Sequence, residues 1–182
     1  VSGAGEEYAA VPTIRRLTGE TFHAAVPGLA GLLVDAVDDG ASLGFCRPFD
    51  HAAAAAWWRA QQAEVASGAV TFWSAEGPEG VAGTVGLARS PMPNGRHRAT
   101  VVKLIVHRKA RGQGLARRLL ATAEREAAER GVTLLVLDTQ SGSPAEQLYR
   151  ATGWIPYGVV PDYAVEPSGT LRDCSFFYKR IA

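Results

Sequence analysis

Several large classes of protein are excluded by what this sequence has little of. Two cysteines in 182 residues, Cys46 and Cys174, are too few for a disulfide framework, and a reducing, cytoplasmic setting is the expectation. No apolar run approaches the roughly 20 residues needed to cross a bilayer. The opening VSGAGEEYAAV has neither a basic region nor a long apolar core, so it shows no signal-peptide pattern. Net charge is nearly absent: 19 Lys and Arg stand against 18 Asp and Glu, a balance of +1 that draws the chain to neither nucleic acid nor a membrane surface. The four histidines, His23, His51, His97 and His107, form no His-x-x-x-His pair and join no cysteine pair, so no metal site is expected. No internal repeat and no linker is evident.

What is present is a globular chain, 47% hydrophobic and 20% charged, long enough for one domain with a real core. Residues 1–12 read as a flexible leader and residues 13–182 as a single domain. Residues 13–18 (TIRRLT) suit a short edge strand. Residues 21–39 carry apolar side chains at helical spacing, with Pro27 and Gly28 marking a start or a bend. Asp50 is placed to cap a second helix that runs through an alanine run and Trp57-Trp58 to Val65. The adjacent tryptophans point about 100° apart on a helix, so at least one belongs to the core. Residues 70–75, 81–87 and 98–106 read as three strands joined by short turns, hence an antiparallel meander. Residues 113–130 form the clearest helix, with Leu115, Leu119, Leu120, Ala123 and Ala127 as its apolar stripe. Residues 132–137 (VTLLVL) read as a fully buried strand, parallel to residues 98–106 because a helix joins the two. Ser143 and Pro144 open a short helix to Ala151. Residues 162–172 read as loop, and residues 174–179 as a terminal strand.

The chain is organised around residues 101–120. An apolar strand, Val101-Val102-Lys103-Leu104-Ile105-Val106, leads through Arg111-Gly112-Gln113-Gly114-Leu115-Ala116 into the amphipathic helix. Unpaired helix N–H groups, the positive end of the helix dipole and two glycines converge there, which suits a phosphate or pyrophosphate.

Two segments carry a resemblance. Arg111-Gly112-Gln113-Gly114-Leu115-Ala116 matches the signature arginine-or-glutamine, x, x, glycine, x, glycine-or-alanine. Leu148-Tyr149 followed by Gly153-Trp154 matches a leucine–tyrosine, glycine–aromatic pattern. Together they resemble the acetyl-CoA site of the GNAT superfamily of N-acetyltransferases. Further similarity, in Gly40-Ala41-Ser42-Leu43-Gly44-Phe45, Arg98-Ala99, Lys103-Leu104, Leu137-Asp138-Thr139 and Gly142-Ser143, is to the tabtoxin-resistance type of small-molecule acetyltransferase and covers residues 14–179. The resemblance implies an α/β fold of the GNAT type, with a mixed central sheet of six to seven strands flanked by helices. It implies acetyl transfer from acetyl-CoA to a primary amine by direct attack in a ternary complex.

The resemblance also assigns roles. Leu104, Ile105 and Val106 would hold the pantetheine arm, Arg111, Gly112, Gln113, Gly114, Leu115 and Ala116 the pyrophosphate, and Ser143 and Tyr149 would also meet the cofactor. Tyr149 would be the general acid toward the departing thiolate. Asp138, an acid at the end of an apolar strand, would orient the amine or accept its proton, or else cap the loop that follows. The glutamate that many members use as base is replaced by Thr100, which cannot serve. The acceptor would meet Asp35, Phe45, Trp57, Asp162 and Tyr163, where a carboxylate and aromatic walls suit an ammonium. A small-molecule amine is the expected partner, with no nucleic acid and no membrane, and the chain is expected to be a monomer or homodimer. A protein or peptide amine, or a non-catalytic acyl-CoA-binding module, are the alternatives.

Overall fold

Residues 11–181 are described by a computed structural model; residues 1–10 of the expected leader lie outside the described residues. The first strand, β1 (Thr13–Arg16), lies at an edge of the sheet. Helix α1 (Gly19–Asp38) follows, its start marked by Thr18, whose amide donates to Thr21 Oγ1 at 2.7 Å. The helix neither starts nor stops at Pro27 but continues through it. Phe22 and Val26 on one side of the proline and Leu29, Leu33 and Val37 on the other are all buried. Their packing offsets the roughly 3 kcal/mol that an interior proline costs.

Helix α2 (His51–Ala60) is capped by Asp50, whose carboxylate accepts from the Ala53 amide at 2.8 Å. The single helix expected to reach Val65 is interrupted at Gln61, and a short α3 (Gln62–Ser67) ends at Gly68, which turns with φ 75°. Strands β2 (Val70–Gly77), β3 (Gly80–Arg89) and β4 (Arg98–Val106) form the expected antiparallel meander. Gly86 lets the central strands close up, since a Cβ there would meet Phe72 Cε1 at 2.5 Å and Val102 Cγ2 at 2.8 Å.

Helix α4 (Leu115–Glu129) returns the chain to β5 (Leu134–Gln140), which runs parallel to β4. Unlike the fully buried strand expected, β5 buries Leu135 and Leu137 and exposes Asp138. One face is covered and the other is open. Helix α5 (Pro144–Ala151) then leads to β6 (Ile155–Val165) and β7 (Leu171–Arg180).

The reading of residues 162–172 as loop holds only for residues 166–170, since β6 runs to Val165 and β7 begins at Leu171. The register of β6 shifts around Pro156 and again between Val160 and Ala164, and almost all of it is exposed, so its Ile, Val and Tyr side chains show no alternation and are interrupted by Pro156, Gly158 and Pro161. Prolines are tolerated because β6 is an edge strand, where one side needs no ladder. The sheet has seven strands in the order β1-β2-β3-β4-β5-β7-β6, flanked by helices. Two apolar clusters line it. One joins α4 and Tyr149, Trp154 and Phe177 to the sheet, and the other joins α1 and α2 to Phe72 and Ile105.

Candidate active site

Strands β4 and β5 pair only at Arg98–Leu134, Ala99–Leu135 and Thr100–Val136, and then separate. The cause lies in β4. Its pairing with β3 shifts from Gly86–Val102 to Thr84–Ile105, so Lys103 and Leu104 together oppose Val85 alone. That is a β-bulge, and Lys103 adopts φ 50°, a conformation that few residues other than glycine take up. The bulge bends β4 away and leaves its β5-facing edge, from Val101 to Val106, without a strand partner. Thr100 sits at the vertex of the gap.

A 3-10 turn, Arg108–Ala110, carries β4 into the glycine segment. Gly112 and Gly114 have φ 77° and 75°, and a Cβ on either would meet nothing within 4 Å, so the space over this backbone is open. Gly114 is the N-cap of α4 and supplies no side-chain cap, which leaves the first helical amides available to an anion. Arg111, Gly112, Gln113 and Gly114 are exposed, Leu115 is buried under the turn and Ala116 is half-buried. On β4, Ile105 is buried while Leu104 and Val106 are half-buried at the unpaired edge.

The turn is anchored from α1. Asp35 accepts from the Arg108 amide at 3.1 Å and from Arg108 Nε at 2.5 Å, with His107 Nε2 at 3.6 Å. Burial pushes its pKa up, but the hydrogen bonds from Arg108 outweigh burial and hold the carboxyl below its ordinary value. Asp39 holds Arg111 Nη1 at 2.5 Å in the same way. Asp35 is therefore engaged with the turn rather than directed at an acceptor.

Across the gap, Asp138 faces the open side of β5, and its charge acts on Lys103, Tyr149 and Cys174. The Cys174 thiol approaches Asp138 Oδ2 at 3.5 Å and donates to the Thr139 carbonyl at 3.2 Å. Burial, then the Asp138 charge, pushes that thiol up to about 12, so Cys174 stays protonated and is no nucleophile. Tyr149 is buried. Its ring packs against Trp154 and Phe177 at centroid distances of 5.8 and 6.1 Å. Burial, then Asp138, pushes its pKa well above the ordinary phenol value, so it carries its proton at neutral pH.

The glycine–aromatic pair is explained by the same packing. Gly153 turns at φ 83°, and the Trp154 indole donates to Glu124 Oε1 at 3.0 Å, fastening the tyrosine's neighbour to α4. Lys179 Nζ holds the other Glu124 oxygen at 2.7 Å. Ser143 caps α5 by accepting from the Glu146 amide at 3.2 Å and stands 3.4 Å from Thr139 Oγ1.

The α1–α2 loop forms the opposite wall. Phe45 stacks on Phe49 at 4.5 Å and meets Trp57 edge-on at 5.5 Å. Trp58 is the core tryptophan, wholly buried, with its indole donating to the Leu29 carbonyl at 3.0 Å. Asp162 and Tyr163 lie on β6. The Asp162 amide donates to Asp173 Oδ1 at 3.1 Å, and Tyr163 meets Phe176 edge-on at 5.1 Å. These two are thus on a different segment from Phe45 and Trp57.

Lys103 was not among the sequence-based candidates. Its Nζ lies 4.9 Å from the Trp57 ring and 5.2 Å from that of Phe45, and donates to the Leu43 carbonyl at 2.8 Å. A lysine inside the apolar run VVKLIV was the available signal. Two surface concavities, about 590 and 780 Å³, lie elsewhere: between residues 11–14 and α4, and at the closed end of the β4–β5 pair around His97 and Tyr178. Among the described residues, no group of three His, Cys, Asp or Glu side chains is placed to hold a metal ion. No described helix is long and apolar enough to cross a membrane.

The model of the acetyltransferase (GNAT) family matches residues 28–154, which span the gap, the glycine turn, Asp138 and Tyr149. The chain belongs to the GNAT acetyltransferase family. It is 41% identical over 71 residues to N-acetyltransferase 8B of Rattus norvegicus, a match covering 38% of this chain and 32% of that protein. The chain thus matches about a third of that relative's length. Among solved structures, the ribosomal-protein-alanine N-acetyltransferase of Brucella melitensis superposes with a TM-score of 0.73 at 25% identity, covering 93% of this chain and 99% of that one. A phosphinothricin acetyltransferase from Sinorhizobium meliloti, solved with acetyl-CoA, gives 0.77 at 17% identity, covering 94% and 89%. For this GNAT member, the likeness to solved structures extends over nearly the whole chain and shows a shared fold.

Proposed function

We propose that the protein transfers acetyl from acetyl-CoA to the primary amine of a small molecule, an amino-acid-like compound or an amine antibiotic. The observation that carries this reading is the convergence of an unpaired strand edge, an open glycine turn, a protonated tyrosine and a carboxylate around one gap. Acetyl-CoA supplies an activated acetyl group as a thioester. The residues present fit it: the amides of residues 111–116 would meet the pyrophosphate, the free edge at Leu104, Ile105 and Val106 the pantetheine arm, and Ser143 the loop beside it.

Tyr149 holds its proton and is braced by Trp154, so its hydroxyl would donate to the departing sulfur. Asp138 would hold the incoming ammonium and take its proton, directly or through water, since Thr100 has no basic group. Phe45 and Trp57 supply the aromatic wall, with Asp162 and Tyr163 on the β6 side. The likeness to the tabtoxin-resistance type and to the phosphinothricin acetyltransferase supports a small, amino-acid-like acceptor.

The second reading is a peptide α-amine. It draws on the likeness to the ribosomal-protein-alanine enzyme and on the exposed Tyr157 and Tyr163 along β6, which would suit an extended chain. Thiol release from acetyl-CoA, followed across amino acids, polyamines, amine antibiotics and short peptides, separates the two. Turnover of a small amine is expected. Turnover of peptides alone would overturn the first reading, and acetyl-CoA binding without any turnover would leave a non-catalytic acyl-CoA-binding module.

A further inference from the structure

We propose that Lys103 is an anion subsite for the acceptor, so that the preferred substrate is an amine that also carries a carboxylate or similar acidic group. The inference rests on the proposed acetyl transfer and names the chemistry of its acceptor.

Lys103 has a position unlike that of any other lysine or arginine here. It is the first residue of the β4 bulge, with φ 50°, and the bulge is what aims its side chain off the sheet toward the α1–α2 loop. Its ammonium makes one hydrogen bond, to the Leu43 carbonyl, and otherwise faces two aromatic rings. Burial is the larger effect and holds its pKa below the ordinary lysine value, while the Asp138 charge and the two ring faces favour the cation. Among the described residues it forms no ion pair, although it is largely withdrawn from water. Burying a charge without a counter-charge is unfavourable, and a bound anion would relieve it.

Among the described residues, Asp138 is the one carboxylate whose charge reaches Lys103, from the far side of the gap. The two groups put opposite charges on the two sides of the gap, and the Asp138 charge also reaches the protonated Tyr149. An acceptor whose ammonium meets Asp138 and whose carboxylate meets Lys103 satisfies both. A simple alkylamine or polyamine satisfies Asp138 alone and leaves Lys103 uncompensated, so charge complementarity selects against it.

The test compares α-amino acids with their own carboxamides as acceptors in the thiol-release assay, for the wild type, Lys103→Met and Lys103→Arg. A hydrogen bond between charged groups is worth a preference of about 10- to 100-fold in kcat/KM for the acid over its amide. Lys103→Met is expected to abolish that preference by lowering kcat/KM on the acids, while activity on the amides and the KM for acetyl-CoA stay within about threefold. Lys103→Arg should keep the preference. Equal use of acid and amide by the wild type would overturn the proposal, as would an equal loss on both in Lys103→Met, which would mark Lys103 as a mere tether for the Leu43 loop. Should peptides alone be acetylated, the small-molecule reading fails and the subsite is decided separately by peptides with Glu or Gln beside the acceptor amine. A Glu preference lost in Lys103→Met would support it, and no preference would overturn it. Acetyl-CoA binding with no acetylation of any acceptor would overturn both.

Discussion

On one side of the β4–β5 gap, the chain offers backbone: the free edge of β4 past Thr100 and the amides around Gly112 and Gly114, turned at φ 77° and 75°. The rest of the site is side chains from separate segments, with Phe45 and Trp57 from the α1–α2 region, Lys103 from the β4 bulge and Asp138 across the gap on β5. Backbone recognition suits a constant ligand such as a pyrophosphate, because every chain has amides and only glycine is needed to expose them. Side-chain recognition can be changed one residue at a time, which suits an acceptor that differs between relatives. The two halves should therefore fail independently.

The largest expected effect is on the core behind the side-chain half, where Trp58 packs against Trp57 at a centroid distance of 4.9 Å. Trp58→Ala removes a wholly buried indole together with its hydrogen bond to Leu29, and should cost about 3–5 kcal/mol of stability. Denaturant unfolding would measure it. Under conditions where the variant is folded, acetyl-CoA affinity should stay near the wild-type value, and a matched loss of affinity would break the comparison. On the backbone half, Gly114→Val forces a β-branched residue into a left-handed turn and sets bulk over the open amides. The conformational cost of holding the bound turn, roughly 1–2 kcal/mol, predicts about a 5- to 30-fold rise in the acetyl-CoA Kd by calorimetry. Its unfolding midpoint should change far less than that of Trp58→Ala.

The same contrast explains what the sequence revealed. The glycine turn, α4 and the Leu148-Tyr149 and Gly153-Trp154 pairs were legible because each needs a particular residue type for a local reason. The parallel β4–β5 pair followed from the helix between the two strands. Strand β6 was not legible, because Pro156, Gly158 and Pro161 interrupt its β-branched and aromatic residues and an exposed edge strand shows no alternation. The role of Lys103 was not legible, since the bulge that aims it arises from pairing with β3, which periodicity does not encode. Asp35 was legible as a carboxylate near the site, but its bond to Arg108 is a contact between α1 and a turn far along the chain.

A smaller effect concerns pH. The Cys174 thiol, with an ordinary value of 9.0, is raised to about 12 in the folded protein by burial and by Asp138. The unfolded chain therefore loses this proton first, and the associated stability, full below pH 9, is lost as pH rises from about 9 toward 12. Wild-type stability should accordingly fall between pH 8.5 and 10.5 more steeply than that of Cys174→Ala. Tyr149, raised in the same direction, leaves part of the slope in both proteins. Identical slopes would remove Cys174 from the shared field of Asp138.

The central claim is that holding the cofactor and moving its acetyl group are separate tasks, the first done by backbone and the second by Tyr149 at the mouth of the gap. It is tested most directly by measuring kcat and the acetyl-CoA Kd on one preparation of Tyr149→Phe. Loss of a general acid predicts a fall in kcat of about a hundredfold or more, with Kd within about threefold of the wild type. An unchanged kcat, or a fall in kcat matched by an equal loss of acetyl-CoA affinity, would contradict it.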